Sequence, residues 1–210
     1  MELCTYFRST ASYRVRLVLD YKKIAYEPHY INLRANEQNQ TYKNINSFGN
    51  VPALITESGV IPQSLAIIEY IEKKHPTPPI FLKDPFQQSQ AMAIALSICC
   101  DIHPLNNLKI LNYLTKTLKI NEQEKNEWYN HWVNEGFQPI EQMLQQTAGD
   151  FCIGNTISIA DICLIPQVYN AHRFNVDMSN YPIISHINQA FLSLEWAKQA
   201  FPEEQGDSCS

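Results

Sequence analysis

The spacing of apolar residues predicts a first third of the chain that mixes strands and helices. Leu3 to Phe7 is a short apolar run, typical of a buried strand. Apolar positions at helical spacing from Val15 predict a helix next, and the polar stretch 34–46 has room for one short helix. Three further strands are predicted at 26–33, 51–55 and 60–61, with the last two forming a hairpin. Ser64 then opens an amphipathic helix, so the order is βαβ followed by ββα.

Strand patterns nearly vanish after a proline-rich break. Residues 75–79 contain three prolines and cannot continue a helix, and Asp84-Pro85 is a second break. Two apolar faces at helical spacing follow, formed by Met92, Ala95, Leu96, Cys99 and His103, and by Trp128, Trp132, Gly136, Ile140 and Leu144. We therefore predict an α/β domain over 1–80 and an all-helical domain over 86–210. We expect the tail from Pro202 to fray.

One helix start in the second domain carries a specific signature. Ser158 precedes an apolar run and is followed three residues later by Asp161, the spacing of a capping box. Ile157 and Ile162 stand where a hydrophobic staple would pack. This pattern predicts a folding device and not a catalytic Ser/Asp pair.

Composition and charge exclude several classes of protein. The chain has 210 residues, of which 45% are hydrophobic and 18% charged, which is typical of a folded globular protein. Its net charge of -5 lacks the basic footprint of a nucleic-acid binder. No apolar run approaches the roughly 18 residues of a membrane span, and the N-terminus does not have the pattern of a secretory signal.

The six cysteines show neither C-x-x-C nor zinc spacing, so we predict free thiols, no metal site and a cytoplasmic protein. Cys4 and Cys163 are interpreted as small buried apolar residues.

Four places carry polar groups that a plain fold would not need. In the segment 8–14, hydroxyls and backbone N–H groups near a helix start would favour an anion, although a helix cap at Ser9, Thr10 or Ser12 is the stronger expectation from spacing alone. The same two interpretations apply to Gln63-Ser64, where the cap is the stronger expectation. The other two places are Val51-Pro52, a proline at a strand start, and the arginines Arg8 and Arg173. Arginine is suited to bidentate carboxylate binding, while a solvated surface role is the default for each arginine alone.

The sequence contains neither G-x-G-x-x-G nor a Walker loop, and no nucleophile motif such as G-x-S-x-G. Because the sequence contains no recognisable nucleophile motif, we expect the nucleophile to be supplied by a bound molecule.

These segments together resemble the zeta class of glutathione transferases over nearly the whole chain. The Val51-Pro52 and Gln63-Ser64 pieces belong to the wider superfamily. More specific pieces, resembling bacterial members, are F-R-S with Y-R-V-R from Phe7, D-I-H-P-L-N-N from Asp101 and N-A-H-R-F from Asn170. The resemblance implies a thioredoxin-like N-terminal domain, a helical C-terminal domain, a homodimer and glutathione as cofactor.

The resemblance also assigns roles by position. Ser9 matches the catalytic serine, and Thr10 stands where a second serine is usual. The glutathione contacts implied are Ser9, Thr10, Gln38, Val51 ahead of a cis-proline, Gln63, Ser64, His103 and Asn107. Arg8 and Arg173 match arginines that hold the substrate's carboxylates. Many members have a cysteine in the active loop where this chain has Ala11, and Cys4 on the strand does not replace it.

The implied activity is glutathione-dependent cis–trans isomerisation of maleylacetoacetate to fumarylacetoacetate, in the breakdown of tyrosine and phenylalanine. The thiolate adds reversibly to the cis double bond of a dicarboxylate, so glutathione is not consumed. Maleylpyruvate is the nearest alternative substrate. A general glutathione transferase or peroxidase, and a non-enzymatic binding protein on the same fold, are the other readings of the chain.

Overall fold

Residues 1–33 and 41–208 are described by a computed structural model, in which the chain forms two units. The first unit comprises Met1–Pro79 together with Leu194–Ser210, and the second comprises Ile80–Ser193. The predicted boundaries of 1–80 and 86–210 therefore differ from these units mainly at the C-terminus. Within the described ranges, no helix combines the length and apolar character needed to cross a membrane.

The first unit has the βαβ–ββα order that the apolar spacing predicts. Its elements are β1 (Glu2–Thr5), α1 (Thr10–Tyr21), β2 (Glu27–Tyr30), a 3-10 turn (Thr41–Asn44), β3 (Ala53–Thr56), β4 (Gly59–Pro62) and α2 (Ser64–Lys74). The sheet order is β2-β1-β3-β4. The βαβ crossover makes β1 and β2 parallel, whereas β1–β3 and β3–β4 are antiparallel.

Strand β1 is central, and its alternating side chains separate two parts of the core. Leu3 pairs in register with Leu54, and Cys4 pairs with Ala53; all four side chains are fully buried. Cys4 and Ala53 belong to a cluster of buried residues completed by Tyr6, Phe7, Ile31, Tyr42 and Val51. Tyr6 and Phe7 follow β1, and Val51 precedes β3, so this cluster anchors the two segments predicted to bind ligand, 8–14 and 51–52.

The second unit is helical, as predicted. Its helices are α3 (Pro85–Leu96), a π-helical turn (Ser97–Ile102), a 3-10 turn (Pro104–Asn106), α4 (Leu108–Lys116), α5 (Glu122–Thr147), α6 (Ile159–Arg173) and α7 (Pro182–Leu192). The predicted helix 92–103 thus changes to π geometry before its end. Pro104 is the first residue of the following 3-10 turn, as expected of a residue that cannot continue a helix interior.

Two predicted apolar faces are shifted in the structure. In α5 the buried side chains include Tyr129, Val133 and Phe137, while Trp128 and Trp132 are only half-buried. In α3 and its continuation the buried residues are Ala91, Ile94, Ala95, Ile98 and Ile102, and the predicted core residue Leu96 is 42% exposed. In each helix, more than one set of positions has three- and four-residue spacing. The spacing therefore predicted the helices correctly, but it placed part of each buried face at the wrong residues.

The signature at Ser158 is confirmed. The Asp161 carboxylate reaches back and accepts hydrogen bonds from the backbone N–H (2.8 Å) and the Oγ (2.9 Å) of Ser158. Its other oxygen accepts from the backbone N–H of Cys152 at 2.8 Å, which fixes the preceding loop as well. Ile157 and Ile162 are both buried, as a hydrophobic staple requires.

The expectation that the tail frays from Pro202 is wrong for the residues described. Pro202 and Gln205 are buried, and the amide of Gln205 donates to the carbonyls of Gln199 (2.7 Å) and Phe201 (3.0 Å). The last described residues, which belong to the first unit, contact its N-terminal part at Phe7 and Tyr30. A contact between residues 200 positions apart, such as Phe7 and Asp207, leaves no local sequence pattern from which it could be predicted.

A glycine in α5 generates a stability prediction. A Cβ at Gly136 would overlap Cγ1 and Cδ1 of Ile102, whose side chain is fully buried. Alanine normally stabilises a helix by about 1 kcal/mol relative to glycine, but overpacking of a core costs about 1–3 kcal/mol. We therefore expect Gly136→Ala to lower the unfolding temperature, measured by circular dichroism.

The matched control is the same substitution in an Ile102→Ala background, where the colliding atoms are gone. There, Gly136→Ala should be neutral or stabilising relative to Ile102→Ala alone. A Gly136→Ala single variant more stable than the wild type would contradict the packing argument.

Candidate active site

The junction between β1 and α1 places Ser9 at a helix start. Ser9 has extended backbone geometry and caps α1, with its Oγ accepting a hydrogen bond from the backbone N–H of Ser12 at 3.2 Å. The cap interpretation is therefore correct, but it does not exclude chemistry. A hydroxyl has two acceptor lone pairs and one proton, so the cap bond leaves the proton of Ser9 to donate to another group.

The neighbouring hydroxyls are less accessible than that of Ser9. Thr10 is 2% exposed and Ser12 is fully buried, whereas Ser9 is half-buried. Among the three, Ser9 is therefore the hydroxyl best placed to meet a ligand at the helix start.

Arg8 lies beside Ser9 in the same junction. Its guanidinium carbon stands 4.8 Å from the centre of the Phe7 ring, and its side chain is half-exposed. This cation–π contact orients the guanidinium without using its N–H donors, which remain able to bind a carboxylate.

The backbone before β3 is fixed in a defined orientation. The Val51–Pro52 bond is cis, as the resemblance predicts. The carbonyl of Asn50 accepts hydrogen bonds from the hydroxyl of Tyr42 (3.0 Å) and from Nδ2 of Asn46 (2.7 Å). Because the C=O and N–H of a trans peptide unit point in opposite directions, the N–H of Val51 is directed away from Tyr42 and Asn46.

The start of α2 differs from the prediction. Ser64 is the first helical residue and not the cap; the cap position is Gln63, which makes no side-chain capping bond. Gln63 also has φ 72°, in the left-handed region that residues other than glycine seldom adopt. Without a side-chain cap, the N–H groups of the first turn remain available to an anion.

Arg14 is a residue of this site that the sequence reasoning missed. Its Nη1 donates to the Oγ of Ser64 at 3.4 Å, and both side chains are buried. Its Nε and Nη2 have no hydrogen-bond partner among the described residues. A buried guanidinium behind the uncapped start of α2 adds positive potential there. An arginine within an apolar helical face was the signal that could have identified it.

The thiol of Cys4 does not contribute a nucleophile. Cys4 is fully buried on β1, and burial raises the pKa of its thiol to about 11. The thiol is therefore protonated near neutral pH. This agrees with the interpretation of Cys4 as a small apolar core residue. Cys163 is likewise fully buried.

In the second unit, His103 and Asn107 flank the 3-10 turn that precedes α4. Asn107 caps α4 through its Oδ1, which accepts from the N–H of Ile110 at 3.0 Å, so its amide nitrogen is not used in the cap. The turn is tied to α5 by two bonds, from Nε1 of Trp128 to the carbonyl of Leu105 (3.0 Å) and from Nδ2 of Asn106 to the carbonyl of Tyr129 (3.4 Å). Helix α5 thereby positions both predicted residues.

Arg173 is the last residue of α6 and is exposed. Its Nη1 donates to Oδ1 of Asn170 at 2.7 Å, and its guanidinium carbon lies 5.6 Å from the centre of the Phe174 ring. The Phe174 ring stacks on Tyr129 of α5 at 3.7 Å. Residues 128–130 of α5 thus support both the turn at 103–107 and the end of α6. Gln38, the remaining predicted contact, lies outside the described residues.

Family models match both parts of the chain. The glutathione S-transferase N-terminal domain matches residues 3–79, and the glutathione S-transferase C-terminal domain matches residues 107–199. A probable maleylacetoacetate isomerase of Vibrio cholerae serotype O1 is 44% identical over 207 residues, covering 97% of this chain and 96% of that protein.

Solved structures agree with these matches. The holo structure of a maleylpyruvate isomerase, a bacterial zeta-class glutathione S-transferase, superposes with a TM-score of 0.96 at 37% identity, over 99% of this chain and 100% of that one. A maleylacetoacetate isomerase from Methylobacterium extorquens AM1, with bound malonate and glutathione, gives 0.94 at 31% identity, over 98% of each chain. The chain therefore belongs to the glutathione S-transferase family, and it is related over nearly its whole length to zeta-class isomerases.

Proposed function

We propose that this protein is a glutathione-dependent cis–trans isomerase that converts maleylacetoacetate to fumarylacetoacetate. The observation that carries the proposal is the combination, within the first unit, of a half-exposed serine hydroxyl at the start of α1 and an uncapped start of α2 backed by a buried arginine. Such a site suits a ligand with both a thiol and a carboxylate.

The residues present fit glutathione. Gln63, Ser64 and the free N–H groups of α2 would hold the γ-glutamyl carboxylate, and the N–H of Val51 would pair with the cysteinyl unit. The unpartnered nitrogens of Arg14 support this assignment, because a buried cation without an anion nearby is unfavourable. When bound, glutathione supplies the sulfur nucleophile on which the isomerisation depends.

Ser9 is assigned to activation of that sulfur. A free thiol has a pKa near 8.5, so little of it is ionised at neutral pH. Lowering the pKa by about 2 requires about 2.7 kcal/mol of preferential stabilisation of the thiolate. The Ser9 hydroxyl would donate a charge-assisted hydrogen bond to the glutathione thiolate, and the start of α1 adds a positive dipole. Both favour the thiolate over the thiol.

Arg8 and Arg173 are assigned to the carboxylates of the substrate. A planar guanidinium binds a carboxylate bidentately, and the cation–π contact of Arg8 uses none of its N–H donors. Their positive charge also favours the negative charge that develops next to the double bond during isomerisation. His103 and Asn107 are proposed as further glutathione contacts, as is Gln38.

Maleylpyruvate is the second candidate substrate. It is favoured by the structural match to maleylpyruvate isomerase, with its TM-score of 0.96. Both compounds contain the same cis double bond flanked by carbonyl groups, so the same residues would act on either. Spectrophotometric assays of the two maleyl compounds, each with and without glutathione, decide between them. A turnover that does not depend on glutathione would contradict both proposals.

We further propose a cytoplasmic homodimer. The five described cysteines are free thiols, as expected in a reducing compartment. Phe48 and Phe86 are 64% and 71% exposed, which makes them candidates for subunit contact. Sedimentation equilibrium should give twice the mass of the chain, and a monomer at micromolar concentration would contradict the proposed assembly.

The first functional prediction concerns Ser9. We expect Ser9→Ala to lower kcat about 10- to 150-fold, the effect of losing a charge-assisted hydrogen bond. Glutathione affinity, measured by calorimetry, should stay within a few-fold because other residues hold the tripeptide. The pKa of the bound glutathione thiol, followed by thiolate absorbance, should rise.

Two variants of neighbouring residues serve as controls. Thr10→Val removes the adjacent hydroxyl without changing side-chain shape and should leave the thiol pKa unchanged. Ser64→Ala should instead weaken glutathione binding. If Thr10→Val raises the thiol pKa and Ser9→Ala does not, the activating hydroxyl belongs to Thr10.

The second functional prediction concerns Arg173. We expect Arg173→Ala to raise the KM of the dicarboxylate and to lower kcat/KM about 10- to 150-fold, since a bidentate charge-assisted contact is lost. Glutathione binding and turnover of an uncharged electrophile should change little. Stability should change by less than about 1 kcal/mol, because the side chain is exposed.

The matched control is His172→Ala, which removes an exposed side chain from the same helix end. It should leave all these parameters near their wild-type values. An Arg173→Ala variant that loses charged and uncharged substrates equally would show that Arg173 braces the fold and does not bind carboxylate.

A further inference from the structure

The backbone of Phe7, the residue before Arg8, is held from both sides. The backbone N–H of Phe7 donates to Oδ2 of Asp207 at 3.1 Å, although 200 residues separate them in sequence. The carbonyl of Phe7 accepts from Nη2 of Arg16 at 3.0 Å. The junction that carries Arg8 and Ser9 is therefore fixed at a point two residues before the proposed catalytic hydroxyl.

Arg16 is fully buried, and its other donors also bind this part of the chain. Nη1 donates to Oγ1 of Thr5 at 3.2 Å and to the carbonyl of Tyr6 at 3.4 Å. Nε donates to the carbonyl of Ala200 at 3.1 Å. One guanidinium thus joins the end of β1, the junction and the C-terminal segment, and the requirement to satisfy a buried cation keeps these parts together.

The C-terminal segment, residues 200–207, is held in place by its own contacts. The Gln205 side chain donates to the carbonyls of Gln199 and Phe201, and the N–H of Gly206 donates to the Tyr30 hydroxyl at 3.1 Å. A Cβ at Gly206 would lie 2.8 Å from that hydroxyl, so the glycine permits the close approach. These contacts hold Asp207 beside the backbone N–H of Phe7.

We infer that Arg16 and Asp207 are positioning residues for the reaction, which clamp the N–H and the carbonyl of Phe7 so that the Ser9 hydroxyl is held where the glutathione thiolate forms. The inference rests on the role proposed for Ser9. On this account the C-terminal segment positions the Ser9 junction of the first unit.

Electrostatic linkage strengthens the clamp. Arg16 and Asp207 attract each other, and Asp20 also attracts Arg16. The pKa of Asp207 is raised overall, because the effect of partial burial exceeds the lowering by the Phe7 N–H and by Arg16. The bond from Phe7 to Asp207 has an ionised acceptor when Asp207 is deprotonated, and such bonds are stronger than neutral ones.

The test compares variants at Asp207 in the full-length protein. Asp207→Ala removes the acceptor, and Asp207→Asn keeps an acceptor oxygen but removes the charge. Glu204→Ala is the matched control, because Glu204 is an exposed carboxylate of the same segment. Three quantities are measured for each: the pKa of the thiol in the glutathione complex, the kinetic constants, and hydrogen exchange of the Phe7 amide.

We expect Asp207→Ala to lower kcat roughly 10-fold, as a small displacement of a catalytic group does. The thiolate fraction of bound glutathione at neutral pH should fall about 3- to 10-fold, and the Phe7 amide should exchange faster. Glutathione affinity should stay within about twofold, and Asp207→Asn should give an intermediate effect. Glu204→Ala should match the wild type.

A variant that only melts at lower temperature, with wild-type thiol pKa and kcat, would show a merely structural role and overturn the inference. Should Asp207→Ala fail to fold, Asp207→Asn decides in the same way. The Phe7 exchange rate separates this inference from the proposed function. If Ser9→Ala leaves the thiol pKa unchanged, the role of Ser9 fails; if Phe7 exchange is unchanged in Asp207→Ala, the clamp itself fails.

Discussion

Two guanidinium groups buried on α1 must find hydrogen-bond partners, and the first unit is arranged around that requirement. An ion removed from water without partners costs several kcal/mol. Positions two apart on a helix face different directions, so Arg16 is directed to the end of β1 and the C-terminal segment, while Arg14 is directed to Ser64 on α2. The backbone and hydroxyl groups proposed to bind glutathione are thereby fixed by side chains that need not touch it.

The starts of α1 and α2 differ in whether a side chain caps their backbone N–H groups. At α1, Ser9 satisfies one N–H with an oxygen lone pair and keeps its proton to donate. At α2, the cap residue Gln63 makes no such bond, so the first turn remains open to a ligand anion. The overall charge of the protein is -5, and the positive potential at these two starts is therefore local. With Ser9 as the proposed donor to sulfur, this site would distinguish the thiol end of an elongated peptide ligand from its carboxylate end.

The sequence pattern was sufficient for the order of elements and for the family, but not for features that depend on distant contacts. Alternation and helical spacing predicted β1 to α2 within a few residues, because those signals are local. The strained backbone of Gln63 has no local signature, so Ser64 was wrongly expected to be the cap. The C-terminal segment was expected to fray as chain termini commonly do; its order comes from bonds to Phe7 and Tyr30, far away in sequence.

The second unit positions its candidate residues by a different means. The Trp128 and Asn106 bonds join the turn from His103 to Asn107 to α5, and the stacking of Phe174 on Tyr129 supports the end of α6 beside Arg173. Aromatic stacking and single neutral hydrogen bonds each contribute about 0.5–1.5 kcal/mol, less than the several kcal/mol at stake when a buried cation loses its partners. Two substrates that share the same reacting bond must be distinguished by residues outside the reacting centre. On the proposed assignment, residues of the second unit distinguish the two substrates, and a change there leaves the proposed thiol-activating site of the first unit intact.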